Sequence, residues 1–432
     1  MIVRNSVVDD SRVLKSAWSL GEGGWDVLVL GASKDGIVDQ FTVGAAAVVR
    51  VPAKVTVQST FLMRVARKLR YLKDKYLRKF LQQSMPGVPG LSRAVNAMAP
   101  YALAFKPHVI HAHDYTALPI AEALAKKLRD AGTKTKLIYD AHEYLQGVHH
   151  LSPLAHIAYT FAEKEGAQKS DAVIVVSEEM APLIRDYLSL DFDPVVVAND
   201  PVVEGRHESP MNIRSSCGLA VGVPLLVYSG AVAPQRGLGT VVEALPSMPD
   251  VHLAIIAQTS NPHVPPLIEQ AQKLGVGDRV HVLPYVPNAE LVSFLSTADI
   301  GLIPLLHRPN HEISLITKFG EYAQANLPIL VSDVRTMATE VRRIGNGEVF
   351  TAGNAISFVE AANKVLNDLA RYRAAYTPEV LFARSWERQA EVLLDLYAKL
   401  IANAEIEPLP DGTHPFKLTE PVPLSGPAQF AR

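Results

Sequence analysis

A short continuous run of Val, Ile and Leu, then a polar turn, then a helical stretch recurs along this chain and restarts midway. In the first half the runs are Asp26–Ala32, Val48–Val51, His108–Ala112, Lys136–Asp140, Ala172–Ser177 and Val195–Ala198. They show little polar–apolar alternation, which is how strands covered on both faces of a parallel sheet read. Helical patterns such as Leu118–Arg129 and Ala155–Gln168 lie between them. Alternating strand and helix implies a doubly wound α/β domain. A second series follows, with Leu225–Ser229, Leu253–Ala257, Val280–Pro284, Ile300–Leu305 and Ile329–Ser332. The polar stretch Asn199–Pro210, broken by Pro and Gly, reads as the linker. The expectation is two Rossmann-like doubly wound parallel-sheet domains, residues 1–200 and 201–376, facing a central cleft. Ligands of such folds sit outside the carboxyl ends of the strands. Residues 377–403 carry an amphipathic helix, Ser385–Ile401, and 404–432 read as a proline-rich mobile tail.

Composition removes several alternatives. With 42 basic and 44 acidic residues the formal charge is −2, so the chain as a whole is not an electrostatic nucleic-acid binder. The single cysteine, Cys217, excludes an intramolecular disulfide framework and a multi-cysteine zinc site. No apolar run reaches the ~18 residues of a bilayer span, and the first residues lack the apolar core of a secretory signal. The expectation is a cytoplasmic protein. The near-zero total hides one strongly basic stretch, Arg64–Lys79, with eight Lys/Arg against one Asp. Leu62, Val65, Leu69, Leu72, Tyr76 and Phe80 fall on one helical face of it. Two readings stay open for a 61–81 helix: a domain helix with solvated charges, or a basic amphipathic helix on an anionic membrane, such as the inner face of the plasma membrane.

Three polar pairs stand just past strand ends in the first domain: His113-Asp114, His142-Glu143 and Ser177-Glu178. In Leu137-Ile-Tyr-Asp-Ala-His-Glu143 a buried strand runs straight into acid–His–acid. The residues alone admit loop capping around a satisfied interior histidine, or chemistry at the strand end. Metal binding by His111, His113, His142, His149 and His150 is a further reading, though no pair has a recognised ligand spacing with a supporting third ligand.

The second domain opens with Val227-Tyr-Ser-Gly-Ala-Val-Ala-Pro-Gln-Arg-Gly-Leu238. Gly230 at a strand end lets backbone approach a phosphate, and Arg236-Gly237 lead into a helix N-terminus. Arg236 offers a guanidinium suited to phosphate oxygens. Downstream, a polar loop holds His311, Glu312 and Ser314, and Lys318 and Glu321 stand three apart on one helix face. A cation there suits phosphate and a carboxylate suits a sugar diol; the plainer reading is a surface ion pair.

Taken in order, Ser-Gly-x5-Arg-Gly-Leu, Ala-Asp-Ile-Gly-Leu-Ile-Pro-Leu and Ser-Leu-x-x-Lys-Phe-x-Glu-Tyr-x-x-x-x-Leu-Pro-Ile resemble a GT-B glycosyltransferase of family 4 (glycosyl transferase group 1). Asp10-Ser-Arg-Val-Leu-Lys, His108-Val-Ile-His-Ala-His-Asp, Asp140-Ala-His-Glu, Ser170-Asp-Ala-Val-Ile-Val-Val-Ser-Glu and Ser385-Trp-Glu fit the same pattern over roughly residues 8–400. The resemblance implies a C-terminal helix crossing back to the first domain. It also implies retaining transfer of a hexose from a nucleotide sugar, without metal or cofactor, to a glycan or lipid-linked acceptor in envelope or exopolysaccharide synthesis. UDP is favoured over GDP as the donor nucleotide on prevalence in the family. By the resemblance Arg236 and Lys318 meet the diphosphate, Glu321 binds the ribose, and Gly230, Gly237 and Ser314 belong to the donor site. His142 approaches the reacting sugar, and His113, Asp114 and Glu143 lie on the acceptor side.

The chain departs from the family pattern at named places. The first Glu of the Glu-x7-Glu motif falls on Ile313, with Glu312 one residue away as its candidate replacement. Ala231 stands where a second Arg is frequent, Ala257 where a Gly is usual, and the glycine-rich loop after the first strand is missing. Two alternatives follow: a nucleotide-sugar epimerase of the same fold, or a nucleotide-sugar-binding paralogue of weak activity.

Overall fold

The computed structural model describes residues 1–8, 10–33, 36–52, 88, 90–402 and 422–424. The basic stretch 61–81 and most of the proline-rich tail lie outside the described residues. The chain divides into two compact units, Met1–Val197 with the described residues from Ala390 on, and Ala198–Gln389. The last helix, Trp386–Ala402, therefore starts in the second unit and continues in the first.

In the first unit the strands are β1 Leu28–Ala32, β2 Asp39–Val43, β3 Ala46–Val51, β4 Val109–His113, β5 Lys136–Ala141, β6 Ala172–Val175 and β7 Val195–Val196. Residues 1–3 run between β1 and β4, with Ile2 bridging Leu30 and Ala112 in parallel. Counting this segment first, the parallel strands stand in the order β3, β1, residues 1–3, β4, β5, β6, β7. The order reverses between residues 1–3 and β4, and such a reversal opens a crevice at the strand carboxyl ends. The strands are solidly apolar because helices cover them: all five residues of β1 and all four of β6 are buried.

Among the described residues two strands, β2 and an edge strand beyond it, depart from the expected all-parallel sheet. β2 pairs antiparallel with β3 through the two-residue turn Gly44-Ala45. Gly44 takes φ +57, which such a turn requires, and Trp18 lies against it, 2.8 Å from where a Cβ would be. A hairpin needs only a local turn, so it leaves no helix-length gap for periodicity to reveal. β14, Val422–Leu424, adds parallel to the outer edge of β2.

The second unit holds one parallel sheet of β8 Leu225–Ser229, β9 His252–Ile256, β10 Val280–Leu283, β11 Ile300–Ile303, β12 Ile329–Ser332 and β13 Gly347–Phe350. Its order is β10-β9-β8-β11-β12-β13, with the reversal between β8 and β11. Alternate strand residues feed two cores. Leu226, Tyr228, Leu253 and Ile255 join one cluster, and Leu225, Val227, Ala254 and Ile256 the other, as a sheet covered on both faces demands. Asn199–Pro210, expected to be a linker, is laid against this unit: Val203 and Glu204 N–H groups donate to Glu387, and Ser209 N–H to Ser293.

Candidate active site

Each unit has its polar cluster at its own switch point. In the first unit, the ends of residues 1–3 and of β4 border a cavity of about 380 Å³ lined by Arg4, Asn5, Asp10, His113, Asp114 and His142, among others. Beneath it lies Asp140, 1% exposed. Both its oxygens accept from Arg12, from Nε and Nη2 at 2.8 Å each, and Arg12 Nη1 also donates to the Val197 carbonyl at 2.9 Å. Three imidazoles surround the same Asp140 Oδ2: His113 Nδ1 at 3.3 Å, His142 Nε2 at 3.4 Å and His111 Nε2 at 3.6 Å. The rings of His111 and His113 stack with centroids 4.0 Å apart, and His111 Nδ1 bonds the Tyr397 hydroxyl at 2.9 Å.

Burial pushes the Asp140 carboxyl up, but the Arg12 charge and the nearby imidazoles outweigh it and hold the group well below the usual range. Burial drives His113 well below its ordinary value, so it is neutral. For His142 burial also lowers the value, yet the Asp140 charge and contact overcome this and raise it. The cluster thus sorts its histidines: burial lowers His111 and His113 inside, while Asp140 raises His142 at the cavity wall. His111, His113 and Asp140 bring one ligand-type atom each within 4.8 Å of the others. Both Asp140 oxygens are also engaged by the Arg12 guanidinium.

Asp114 takes φ +72, a left-handed conformation unusual for any residue but Gly and tolerated by Asp. Its N–H donates to the Asp140 carbonyl at 2.9 Å, and its Oδ1 accepts from Tyr115 N–H at 2.7 Å. Burial pushes its carboxyl up to about 7, with the Glu143 charge adding and His142 opposing. Glu143 is not among the lining residues but lies close enough for its charge to act on Asp114.

In the second unit the strand-end glycine is used as expected. Gly230 has φ +121, and a Cβ there would stand 2.4 Å from Lys318 Nζ. Lys318 reaches that point because its helix, Thr317–Gln324, is pressed onto the sheet. The Tyr322 ring lies on Gly301, where a Cβ would meet Cγ at 2.4 Å, and its hydroxyl accepts from Ser229 N–H at 3.0 Å. Lys318 Nζ stands 5.3 Å from the Tyr228 ring centroid. Burial lowers its ammonium to about 8, with Glu321 raising and Arg236 lowering it.

Arg236 closes the short 3-10 turn Pro234–Arg236. Gly237 after it has φ +74, and a Cβ would fall 1.7 Å from the Pro304 carbonyl oxygen. Its glycine is therefore required by the loop after β11 rather than by open space for a phosphate. Leu306 N–H donates to the Gln235 carbonyl at 3.0 Å, joining the two loops again. His311 Nδ1 is 2.7 Å from the Leu306 carbonyl, so that nitrogen carries the proton and Nε2 is the acceptor. Ser314 ends the helical turn Pro309–Ile313 in extended backbone. Glu312 turns elsewhere: Oε1 lies 2.5 Å from His307 Nδ1, and Oε2 accepts from Arg335 N–H at 2.9 Å.

Each unit therefore gathers its own set: His113, Asp114 and His142 with Glu143 in the first, and Gly230, Arg236, Lys318 and Glu321 in the second. Arg12, Tyr228, Tyr322 and His307 also take part, and none of them is among the residues expected at the sites. Arg12 lies inside Asp10-Ser-Arg-Val-Leu-Lys and Tyr228 two residues before Gly230, so local signals existed for both.

Two family models match the chain. The model for the "Glycosyl transferase 4-like domain" matches residues 11–200, and that for "Glycosyl transferases group 1" matches 212–378. A D-inositol 3-phosphate glycosyltransferase of Xylanimonas cellulosilytica is 26% identical over 251 residues, 55% of this chain and 59% of that protein. The chain thus aligns with under two thirds of that relative. Among solved structures, sucrose-phosphate synthase of Thermosynechococcus elongatus superposes with TM-score 0.69 at 18% identity, covering 93% of this chain and 99% of that one. Anabaena HepE in complex with UDP-glucose does so with TM-score 0.63 at 14% identity, covering 92% and 98%. At these identities the structural likeness speaks for the fold.

Proposed function

Because the chain belongs to the GT-B glycosyltransferases of the family 4-like type, we propose that it moves a hexose from a nucleoside diphosphate sugar to a hydroxyl of a glycan or lipid-linked acceptor, with retention and without a bound metal. The observation that carries this reading is the Lys318 ammonium seated over Gly230 with Arg236 nearby, two cations at one switch point. The departing group is a nucleoside diphosphate, and negative charge develops on its β-phosphate as the anomeric C–O bond breaks. Two cations at one strand end stabilise that charge. Glu321, one turn beyond Lys318, suits the ribose diol.

The first unit's cavity takes the acceptor. The new bond forms between the anomeric carbon and the acceptor oxygen, on the face the phosphate leaves. The acceptor proton passes to the departing phosphate oxygen, so no enzyme nucleophile is needed. His142, beside Asp140 at the cavity wall, donates a hydrogen bond to the reacting sugar. The UDP-glucose held by HepE supports a uridine nucleotide as the first donor to try. The net charge of +7 over Arg64–Lys79 supports work at an anionic membrane surface in envelope glycan synthesis. Equal sedimentation with neutral and anionic liposomes would remove that part. Among the described residues no helix is long and apolar enough to cross a membrane.

The decisive experiment incubates purified protein with UDP-, GDP- and ADP-sugars and follows nucleotide release, with NMR of the product anomer. Release with the donor's anomeric configuration kept is expected. A changed sugar still bound to its nucleotide would make the protein an epimerase, and binding without turnover would make it a sensor.

A further inference from the structure

We infer that Glu312 is a positioning residue, forming with His307 and Asp333 a latch that holds the loop after β11, residues 304–314, on the sheet. The proposal rests on donor binding at the second unit's switch point. Ile313, the position where the resemblance expects a carboxylate, is 5% exposed. The neighbouring carboxylate of Glu312 is engaged on every side that the structure describes. Its Oε1 lies 2.5 Å from His307 Nδ1, its Oε2 accepts from Arg335 N–H at 2.9 Å, and its backbone carbonyl accepts from the Thr336 hydroxyl at 2.8 Å. The other imidazole nitrogen, His307 Nε2, is 3.1 Å from Asp333 Oδ1, and that oxygen also accepts from Ala352 N–H at 2.9 Å.

The latch therefore ties together the segments that leave β11, β12 and β13, all at the ligand end of the sheet. A carboxylate at the first turn of helix Arg335–Ile344 is favoured by the exposed N–H groups there. An imidazole between two carboxylates is favoured as the cation, and the Glu312 contact raises His307 accordingly. The consequence reaches the phosphate site through the backbone. Leu306, the residue before His307, bonds Gln235, and Gly237 packs on Pro304, so the loop carrying His307 sets the turn that carries Arg236. Glu312 thus acts on donor binding through Arg236 without touching the reacting atoms.

The test compares Glu312→Gln, His307→Asn and the double variant with the wild-type protein. Calorimetry with UDP, GDP and ADP, steady-state kinetics and hydrogen exchange over residues 305–314 are the readouts. The amide of Glu312→Gln keeps an acceptor for Arg335 N–H and loses only the ionic half of the latch. Each single variant is expected to weaken nucleotide binding and raise donor KM about fivefold, with kcat within about twofold. The double variant is expected to be no worse than about either single one, since both break one unit. Exchange in the loop is expected to rise in all three whether or not nucleotide is present. A kcat loss of about a hundredfold or more in Glu312→Gln with KM unchanged would place Glu312 at the reacting atoms and overturn the proposal. Unchanged exchange would overturn it as well. Wild-type protein that binds no nucleotide, yet whose loop loosens in the variants, would overturn the donor reading and leave the latch standing.

Discussion

The Lys318 ammonium occupies the space in which a side chain at position 230 would begin, 2.4 Å from the ideal Cβ of Gly230. One glycine thus does two jobs. It allows a φ of +121, which other residues rarely adopt, and it leaves room for a cation to sit against the end of β8.

Gly230→Ala should therefore lower turnover and nucleotide affinity by about tenfold or more, because the methyl group displaces Lys318. It should also cost about 1–3 kcal/mol of stability from the strained backbone. Calorimetry with the nucleotide and a denaturant melt separate the two effects. Retained affinity with the stability loss alone would show that Lys318 does not need this seat.

Removing either cation tests the phosphate site directly. Arg236→Ala and Lys318→Met should each reduce kcat by about a hundredfold or more, the scale for losing one preorganised charge stabiliser. Glu321→Ala should instead weaken nucleotide binding. Burial lowers Lys318 to about 8, so its ammonium is lost as pH rises through that value. Affinity for the nucleoside diphosphate should fall between pH 7 and 9, and Lys318→Arg should flatten the fall. A flat wild-type profile would mean that Lys318 contributes no charge.

Beneath the first unit's cavity the Arg12–Asp140 pair is wholly buried. Arg12→Met leaves the carboxylate among imidazoles without its guanidinium and should cost about 3–5 kcal/mol. Adding Asp140→Leu should recover part of that loss in a urea melt, since no buried charge is then left unpaired. The double variant should still be inactive, because His142 loses the carboxylate that raises its affinity for a proton. Activity at the wild-type level would refute the role given to His142.

Glu163 is fully buried in helix Pro153–Gln168, with Oε1 accepting from the Tyr139 hydroxyl at 2.6 Å. Burial raises its carboxyl from the ordinary 4.5 to about 8. The unfolded chain releases this proton as pH passes 4.5, while the folded chain keeps it until about 8. The group's contribution to stability is therefore full below pH 4.5 and is lost progressively up to about pH 8. Glu163→Gln cannot ionise, so its stability relative to wild type should grow from pH 5 to pH 8. Parallel melts at the two pH values check this; a constant difference would show that Glu163 is ionised in the fold.

Much of this protein is written in local pattern. Buried strands announce themselves as runs such as Leu225–Ser229 and Ile329–Ser332, because a strand covered on both faces has no polar side to show. Gly230, Arg236, Lys318 and Glu321 could be named from spacing and resemblance, because each sits at a strand end or helix start, where position along the chain predicts position in the fold. The pairings within the sites were not readable in this way. Arg12 and Asp140 are 128 residues apart, and Ser229 and Tyr322 are 93 apart. Glu312 lies beside the expected catalytic position, yet its carboxylate turns to His307 and Arg335. Strand order brings these groups together, and strand order is set by which faces can be buried at once across the whole domain. Local pattern thus settled the element types and the chemistry on offer. Only the packed sheet decided which charges meet, because a contact between distant segments has no period along the chain.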